Sequence, residues 1–405
     1  MFNNSNKTLG SILLYTGTAI GGGMLALPIA TASVGYGVTT LILFLSWFIS
    51  TYSALILLEV NMACKVGSNY ITMAKETLGT LGKVITWFAY LFLLYALTAA
   101  YMTGGNSLLR TGLQLLHLPT LDNLTRTLLF TLVLGGIIFI GTKLVDYCNR
   151  SLMFLKFIAF IFILFFFTPY IKSSLLLLKP ESVKTLLFSI PIIVVSFGSQ
   201  IIVPSLRSYV GDNPKKLKNI VIIGSTIPLL IYLIWEIATI GVLPLTGPNS
   251  FSQVISNGGT VGDMVQAFQQ YTNSKIISLG FNIFTNIAIT TSFFGVTLSL
   301  FDFLKDAFKF NNKHSSGRIF TFILTYGPPF IFAIFYPKGF INALGYAGIA
   351  QSILIILPSI MIYKLRNSAQ LKSPIRIPGG VFCYFAPIIF GLIVITIEIL
   401  HKYSL

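Results

Sequence analysis

The chain has 405 residues, of which 55% are hydrophobic and 9% charged, with a formal net charge of +16 and a mean hydropathy of +0.84. That leaves too little polar surface to cover a water-soluble globule. The positive balance does not point to nucleic acid, because the Lys and Arg residues stand singly or in small groups between apolar runs, where they orient a membrane protein.

Apolar runs of about 20 residues recur throughout, the length that crosses a hydrocarbon core roughly 30 Å thick. Eleven spans are expected, at residues 9–33, 38–60, 84–109, 126–141, 151–168, 186–209, 220–242, 276–303, 319–335, 340–363 and 381–400. The first run superficially resembles a signal peptide, with Lys7 ahead of it and Ala30, Thr31 and Ala32 as a cleavage-like triplet. Gly21, Gly22 and Gly23 interrupt it, whereas a cleavable apolar core is usually continuous, so it reads as the first span. Residues 69–81 read as a short amphipathic interfacial helix and 170–185 as a polar link. Residues 243–274, rich in Gly, Asn, Ser and Gln, read as an external segment able to hold short helices.

Positive residues test this layout. With the N-terminus in the cytoplasm, the inner connections hold Lys7; Lys65, Lys75 and Lys83; Lys143, Arg150 and Lys156; Arg207, Lys215, Lys216 and Lys218; Lys305, Lys309, Lys313 and Arg318; and Lys364, Arg366, Lys372 and Arg376. The outer side keeps Arg110, Arg126, Lys172, Lys179, Lys184, Lys275, Lys338 and Lys402. This alternation predicts an inside N-terminus and an outside C-terminus.

Two spans share one punctuation. Gly22 stands six residues before Pro28 in the first, and Gly198 stands six residues before Pro204 in the sixth. An unpaired peptide group in lipid costs several kcal/mol, so an unwound stretch is tolerated only where it is buried or lines a cavity. At such a break one half-helix offers free N–H groups to a carboxylate and the other offers free carbonyls to an ammonium or cation. A zwitterionic amino acid satisfies both. Glycines of this kind also serve helix packing, but a matched pair in spans one and six is how secondary transporters build a midplane site. The expected fold is an all-α polytopic membrane protein with one transmembrane domain over residues 1–405. It comprises a first five-span repeat at about 8–168, an inverted second repeat at about 186–363, and an added helix at about 381–400.

Several motifs extend this reading. The stretch from Gly17 to Pro28 (GTAIGGGMLALP), Tyr95–Tyr101 (YALTAAY), Gly141–Asp146 (GTKLVD), Phe335–Phe340 (FYPKGF) and Ala343–Gly348 (ALGYAG) together resemble the bacterial aromatic amino acid permease family, and its tyrosine-specific members in particular. The resemblance covers essentially the whole chain. It implies the amino acid-polyamine-organocation superfamily, a leucine-transporter-like five-plus-five fold, a place in the bacterial cytoplasmic (inner) membrane, and a small aromatic amino acid as ligand, tyrosine first and tryptophan next. No cofactor and no obligate protein partner is expected.

Carried onto this sequence, the resemblance implies that backbone groups of Ala19, Gly21, Gly22 and Gly23 hold the ligand's carboxylate and amine, faced by Phe197, Gly198 and Ser199. Ser199 and Gln200, with Tyr95, Tyr101 and Thr98, are candidates for the side-chain pocket, although tyrosines in spans also serve interhelical hydrogen bonds. A pocket that hydrogen-bonds a hydroxyl can reject the deoxy analogue strongly. For coupling, Ala288, Thr291 and Ser292 repeat an Ala-x-x-Thr-Ser group that, with carbonyls at Gly17 and Ile20, holds sodium in relatives of the fold. Lys156 stands where some proton-coupled members place a lysine in that ion's stead, and proton symport is the expectation, with sodium as the alternative. A membrane-embedded lysine costs about 2.5–3.5 kcal/mol on insertion scales, so an unpaired structural role is disfavoured. Snorkelling to the cytoplasmic surface is its competing use, since it stands about a turn and a half into span five.

The remaining charges have lesser expected uses. Glu236 is the deepest acid and a rival proton carrier. Glu59, Asp146 and Asp302 are expected in gate or loop ion pairs, and Glu398, on the peripheral last span, at the interface. A membrane enzyme would need paired acids or a His-rich metal site, but His117, His314 and His401 are scattered. A channel would repeat one pore element or ring of charges. Cys64, Cys148 and Cys383 lack metal-ligand spacing and read as free thiols.

Overall fold

The computed structural model describes residues 4–308, 315–368 and 372–403. Lys309 and Lys313 of the topology reading, and His314, lie outside the described residues. Every regular element among them is helical, as a lipid-embedded backbone with no water to bond requires.

In chain order the helices are α1 (Asn4–Ala19), α2 (Gly22–Thr31), α3 (Tyr36–Ala63), α4 (Tyr70–Leu115), α5 (Asn123–Ile140), α6 (Thr142–Phe167), α7 (Ser173–Leu176) and α8 (Val183–Ser196). They continue as α9 (Val203–Val210), α10 (Pro214–Ile240), α11 (Phe251–Ser256), α12 (Val261–Thr272), α13 (Lys275–Phe308), α14 (Ser315–Phe335), α15 (Phe340–Arg366) and α16 (Phe382–Tyr403). Among the described residues, ten spans are long and apolar enough to cross a membrane, and the pair α1 and α2, bent by 45°, makes an eleventh. The expected spans therefore correspond one to one with helices or helix pairs. The segment read as external holds α11 and α12, and the polar link holds the short α7 between a 3-10 turn at Thr168–Tyr170 and the start of α8.

Local chemistry sets the boundaries. Asn69, Asp122, Ser182, Asn213 and Thr260 each accept a hydrogen bond from a backbone N–H three residues on, capping α4, α5, α8, α10 and α12. The interfacial helix and span three, read apart in the sequence, are joined in α4, whose 46 residues would be about 69 Å long if straight. Gly79 (φ 72, ψ −157) breaks it within the last residues of the stretch read as interfacial, a conformation that disfavours any residue with a Cβ.

Span five starts earlier than its apolar run suggests. α6 begins at Thr142, because Lys143, Asp146 and Arg150 are carried on helix turns rather than in a loop, with Arg150 and Asp146 paired at 2.8 Å. Lys156 consequently sits 14 residues into the helix, roughly 21 Å along it. The outer face of α6 exposes Phe154, Phe157, Ile161 and Phe165, which suits lipid contact and would be anomalous in water.

α15 packs most extensively on α4 and also on α16, α3 and α8, while α13 packs on α4 and α6, and α10 on α1 and α3. One buried and one half-buried ion pair tie helices together. Arg366 at the end of α15 holds Glu59 of α3 through two hydrogen bonds of 2.9 and 2.7 Å, and the same carboxylate accepts from the Ile377 N–H. Arg110 of α4 holds Asp263 of α12 at 2.7 Å. Asp302 forms no ion pair among the described residues. Glu398 corrects the sequence reading: it is 3% exposed, and its carboxyl lies against Gly345, where an added Cβ would come within 2.3 Å of it. α16 is peripheral, but this face of it is seated on α15. The three cysteines are free thiols.

Candidate functional site

The break in span one follows from its glycines. α1 stops at Ala19, α2 starts at Gly22, and the linking Gly21 is extended (φ −135, ψ −151). Glycines here also admit neighbours. A Cβ on Gly21 would stand 2.7 Å from Ser292 Oγ, one on Gly22 2.4 Å from the Tyr101 ring, and one on Gly23 2.7 Å from Ser196 Oγ. The break is thus gripped by α13, α4 and α8 at three consecutive residues.

Span six breaks differently. α8 ends at Ser196, a 3-10 turn runs over Gly198–Ile202, and α9 resumes at Val203 with Pro204 in its first turn. Proline lacks the N–H that a continuous helix would use and is tolerated in a first turn. The Ser199 N–H turns back to the Phe197 carbonyl at 2.9 Å.

A residue absent from the sequence reading joins the two breaks. Tyr232 of α10 brings its hydroxyl to the carbonyl oxygens of Ala19, at 2.7 Å, and Ser196, at 2.8 Å. These are the last carbonyls of α1 and α8, two of the orphan acceptors that helix ends leave. One proton is shared between them, and the ring stacks edge-on against Phe197 at 5.3 Å. The available sequence signal was a tyrosine one helical turn before Glu236 in an otherwise apolar span.

The C-terminal end of α1 also receives a cation. Lys156 Nζ donates to the Ile20 carbonyl at 2.9 Å and to Thr291 Oγ1 at 3.3 Å. The side chain points into the bundle and is 6% exposed, so snorkelling is not its conformation. Thr291 donates onward to the Ile287 carbonyl. Neighbouring Ser292 donates to the Ala288 carbonyl at 2.7 Å and accepts from the Gly22 N–H at 3.1 Å. Negative helix-end carbonyls therefore meet the ammonium, and a free N–H at the start of α2 meets a hydroxyl. Gly17 serves packing, since a Cβ there would lie 2.9 Å from Met153 of α6.

Glu236 is fully buried one turn beyond Tyr232. Its Oε2 lies 2.6 Å from Thr31 Oγ1, which is also 2.8 Å from the Leu27 carbonyl, and its Oε1 has no partner among the described residues. A hydroxyl has one proton. Thr31 therefore donates either to the Glu236 carboxyl or to the Leu27 carbonyl.

Not every expected residue is brought to the breaks. Tyr95 donates to the Leu324 carbonyl at 2.8 Å, the interhelical use. It lines a cavity of about 430 Å³ between α4, α14 and α15, with Phe92, Pro328, Pro329 and Phe332. None of that cavity's lining residues is charged or belongs to a break, so it is ill suited to a zwitterion. Thr98 is buried and satisfies its hydroxyl on the Leu94 carbonyl. Ser199 and Gln200 are buried beside the second break.

A model of the tryptophan/tyrosine permease family matches residues 4–398. The chain belongs to this family. Among its curated relatives, tyrosine-specific transport system 2 of Haemophilus influenzae is 36% identical over 401 residues, covering 98% of each chain. Tyrosine-specific transport system 1 of the same organism is 35% identical, over 97% of this chain and 96% of the relative. A tryptophan-specific transport protein of that organism is 33% identical, over 98% and 96%. As a member of the tryptophan/tyrosine permease family the protein is a multi-pass transporter and not an enzyme, in line with the resemblance carried by its motifs.

Proposed function

We propose that the protein imports an aromatic amino acid, tyrosine first, across the bacterial inner membrane by proton symport with alternating access. The observation that carries this reading is the meeting of two helix breaks, whose last carbonyls share the Tyr232 hydroxyl, beside a buried lysine. The ligand's ammonium and carboxylate take peptide groups of residues 19–23 and 197–199, among them the Ala19 and Ile20 carbonyls and the Gly22 N–H that Tyr232, Lys156 and Ser292 hold in this structure, with Tyr101 and Gln200 toward its ring. The two breaks fit a leucine-transporter-like pair of inverted repeats, residues 8–168 and 186–363, with the N-terminus inside and the C-terminus outside. Tyrosine is placed before tryptophan because relatives named for tyrosine transport are the more similar of those compared.

Coupling runs through Lys156. When charged, its ammonium takes the Ile20 carbonyl and the Thr291 hydroxyl, two ligands that a sodium ion would need. Loss of the proton frees both and loosens the grip of α6 and α13 on the first break. One proton moving down the potential gains about 2.3 kcal/mol per 100 mV, enough to drive useful accumulation of a zwitterion. The second reading routes the proton through Glu236, favoured by its single polar contact and its full burial.

Uptake of labelled tyrosine, tryptophan and phenylalanine into proteoliposomes, under separate proton and sodium gradients, tests this function. Tyrosine accumulation driven by protons alone is the expected result. Accumulation that requires sodium overturns the coupling, and no uptake of any of the three overturns the substrate.

A further inference from the structure

One buried polar side chain faces the second break without being used by the fold. Gln351, midway along α15, is 0% exposed, and neither its Nε2 nor its Oε1 has a hydrogen-bond partner among the described residues. It lies against Gly198: a Cβ there would be 3.3 Å from Oε1 and 3.9 Å from Nε2. The carboxamide thus packs closely against the Gly198 side of the 3-10 turn. Gln200, two residues along the same turn, is 1% exposed and equally without partners at both polar atoms. The two carboxamides do not bond each other.

Leaving a buried donor or acceptor unmade costs about 1–3 kcal/mol apiece, so four such atoms around one turn favour a ligand that bonds them. In the proposed function the amino acid's head group takes peptide groups of the breaks, which leaves the polar group on its ring for these carboxamides. We propose that Gln351 is a specificity residue that contacts a hydrogen-bonding ring substituent of the transported amino acid, with Gln200 completing the contact. A carboxamide both donates and accepts, as a phenolic hydroxyl does. An indole N–H uses only the oxygen, and a plain phenyl ring uses neither. The order of preference set by this pair is tyrosine, then tryptophan, then phenylalanine.

This inference rests on the aromatic substrate reading, and its test separates the two. Uptake of tyrosine and phenylalanine by the full-length protein in proteoliposomes is compared for wild type, Gln351→Met and Gln351→Asn. Methionine keeps the length and removes both polar atoms. The tyrosine-to-phenylalanine ratio of kcat/KM is expected to fall at least about tenfold in the Met variant, with phenylalanine uptake kept. It should fall about threefold in the Asn variant, whose carboxamide is drawn back by one methylene. Should the Met variant not reach a folded state, the Asn variant decides, being polar and smaller. A ratio unchanged in the folded variants overturns the role of Gln351 alone. Wild-type protein that takes up no aromatic amino acid overturns the substrate reading and this inference with it.

Discussion

The ammonium of Lys156 lies 2.9 Å from the carbonyl oxygen of Ile20, the residue at which span one unwinds. A cation fixed to a helix break ties the state of one proton to the shape of the substrate site. Lys156→Gln should therefore abolish accumulation driven by a proton gradient while leaving counterflow exchange of labelled tyrosine intact. Glu236→Gln, which keeps the Thr31 contact, should leave accumulation in place. The reverse pattern would transfer the coupling role to Glu236.

Gly22 touches the Tyr101 ring more closely than a methyl group allows. Gly22→Ala should reduce uptake at least tenfold without loss of folded protein, since the ring must leave the break. Adding Tyr101→Leu to it should restore part of the transport. A Gly22→Ala protein with wild-type kcat and KM would mean that this contact is not kept during the cycle.

Tyr232 gives one hydroxyl to the last carbonyls of two half-helices. Tyr232→Phe keeps the ring and its stacking on Phe197, so its effect isolates the hydroxyl. A buried hydrogen bond contributes about 0.5–1.5 kcal/mol, and more where two acceptors are left unpaired. A lower Tm in detergent and slower uptake are expected together. A lower Tm with unchanged uptake would make the residue structural only.

Arg366 and Glu59 form a buried pair, with side chains 8% and 2% exposed. Removing one partner strands the other, at a cost of about 3–5 kcal/mol, whereas replacing both with apolar residues is far milder. Arg366→Met should accordingly lower Tm much more than Arg366→Met combined with Glu59→Leu. Equal losses in thermal denaturation would show that the pair's charges are not held dry.

The sequence by itself determined the class, the number of spans and the two breaks, because those depend on local properties. A run of about 20 apolar residues must cross the bilayer whatever its neighbours, and glycine before proline weakens a helix wherever it stands. It also put Ala288, Thr291 and Ser292 in span eight and Lys156 in span five, and the structure brings Lys156 to Thr291. Only the tertiary structure decided which polar atoms meet. Lys156 reads as near the end of its span when only apolar residues are counted, yet α6 extends back to Thr142 and the side chain turns inward to Ile20. Tyr95 and Tyr101 look equivalent in sequence, but six residues is not a whole number of helical turns. The first hydroxyl goes to α14 while the second ring goes to Gly22. Tyr232 and Gln351 are single polar residues in apolar runs, and their meaning depends on contacts that no periodicity encodes. Hydrophobic length is written along the chain, whereas the partners of Lys156 and Tyr95 lie more than a hundred residues away and meet them only once the helices have packed.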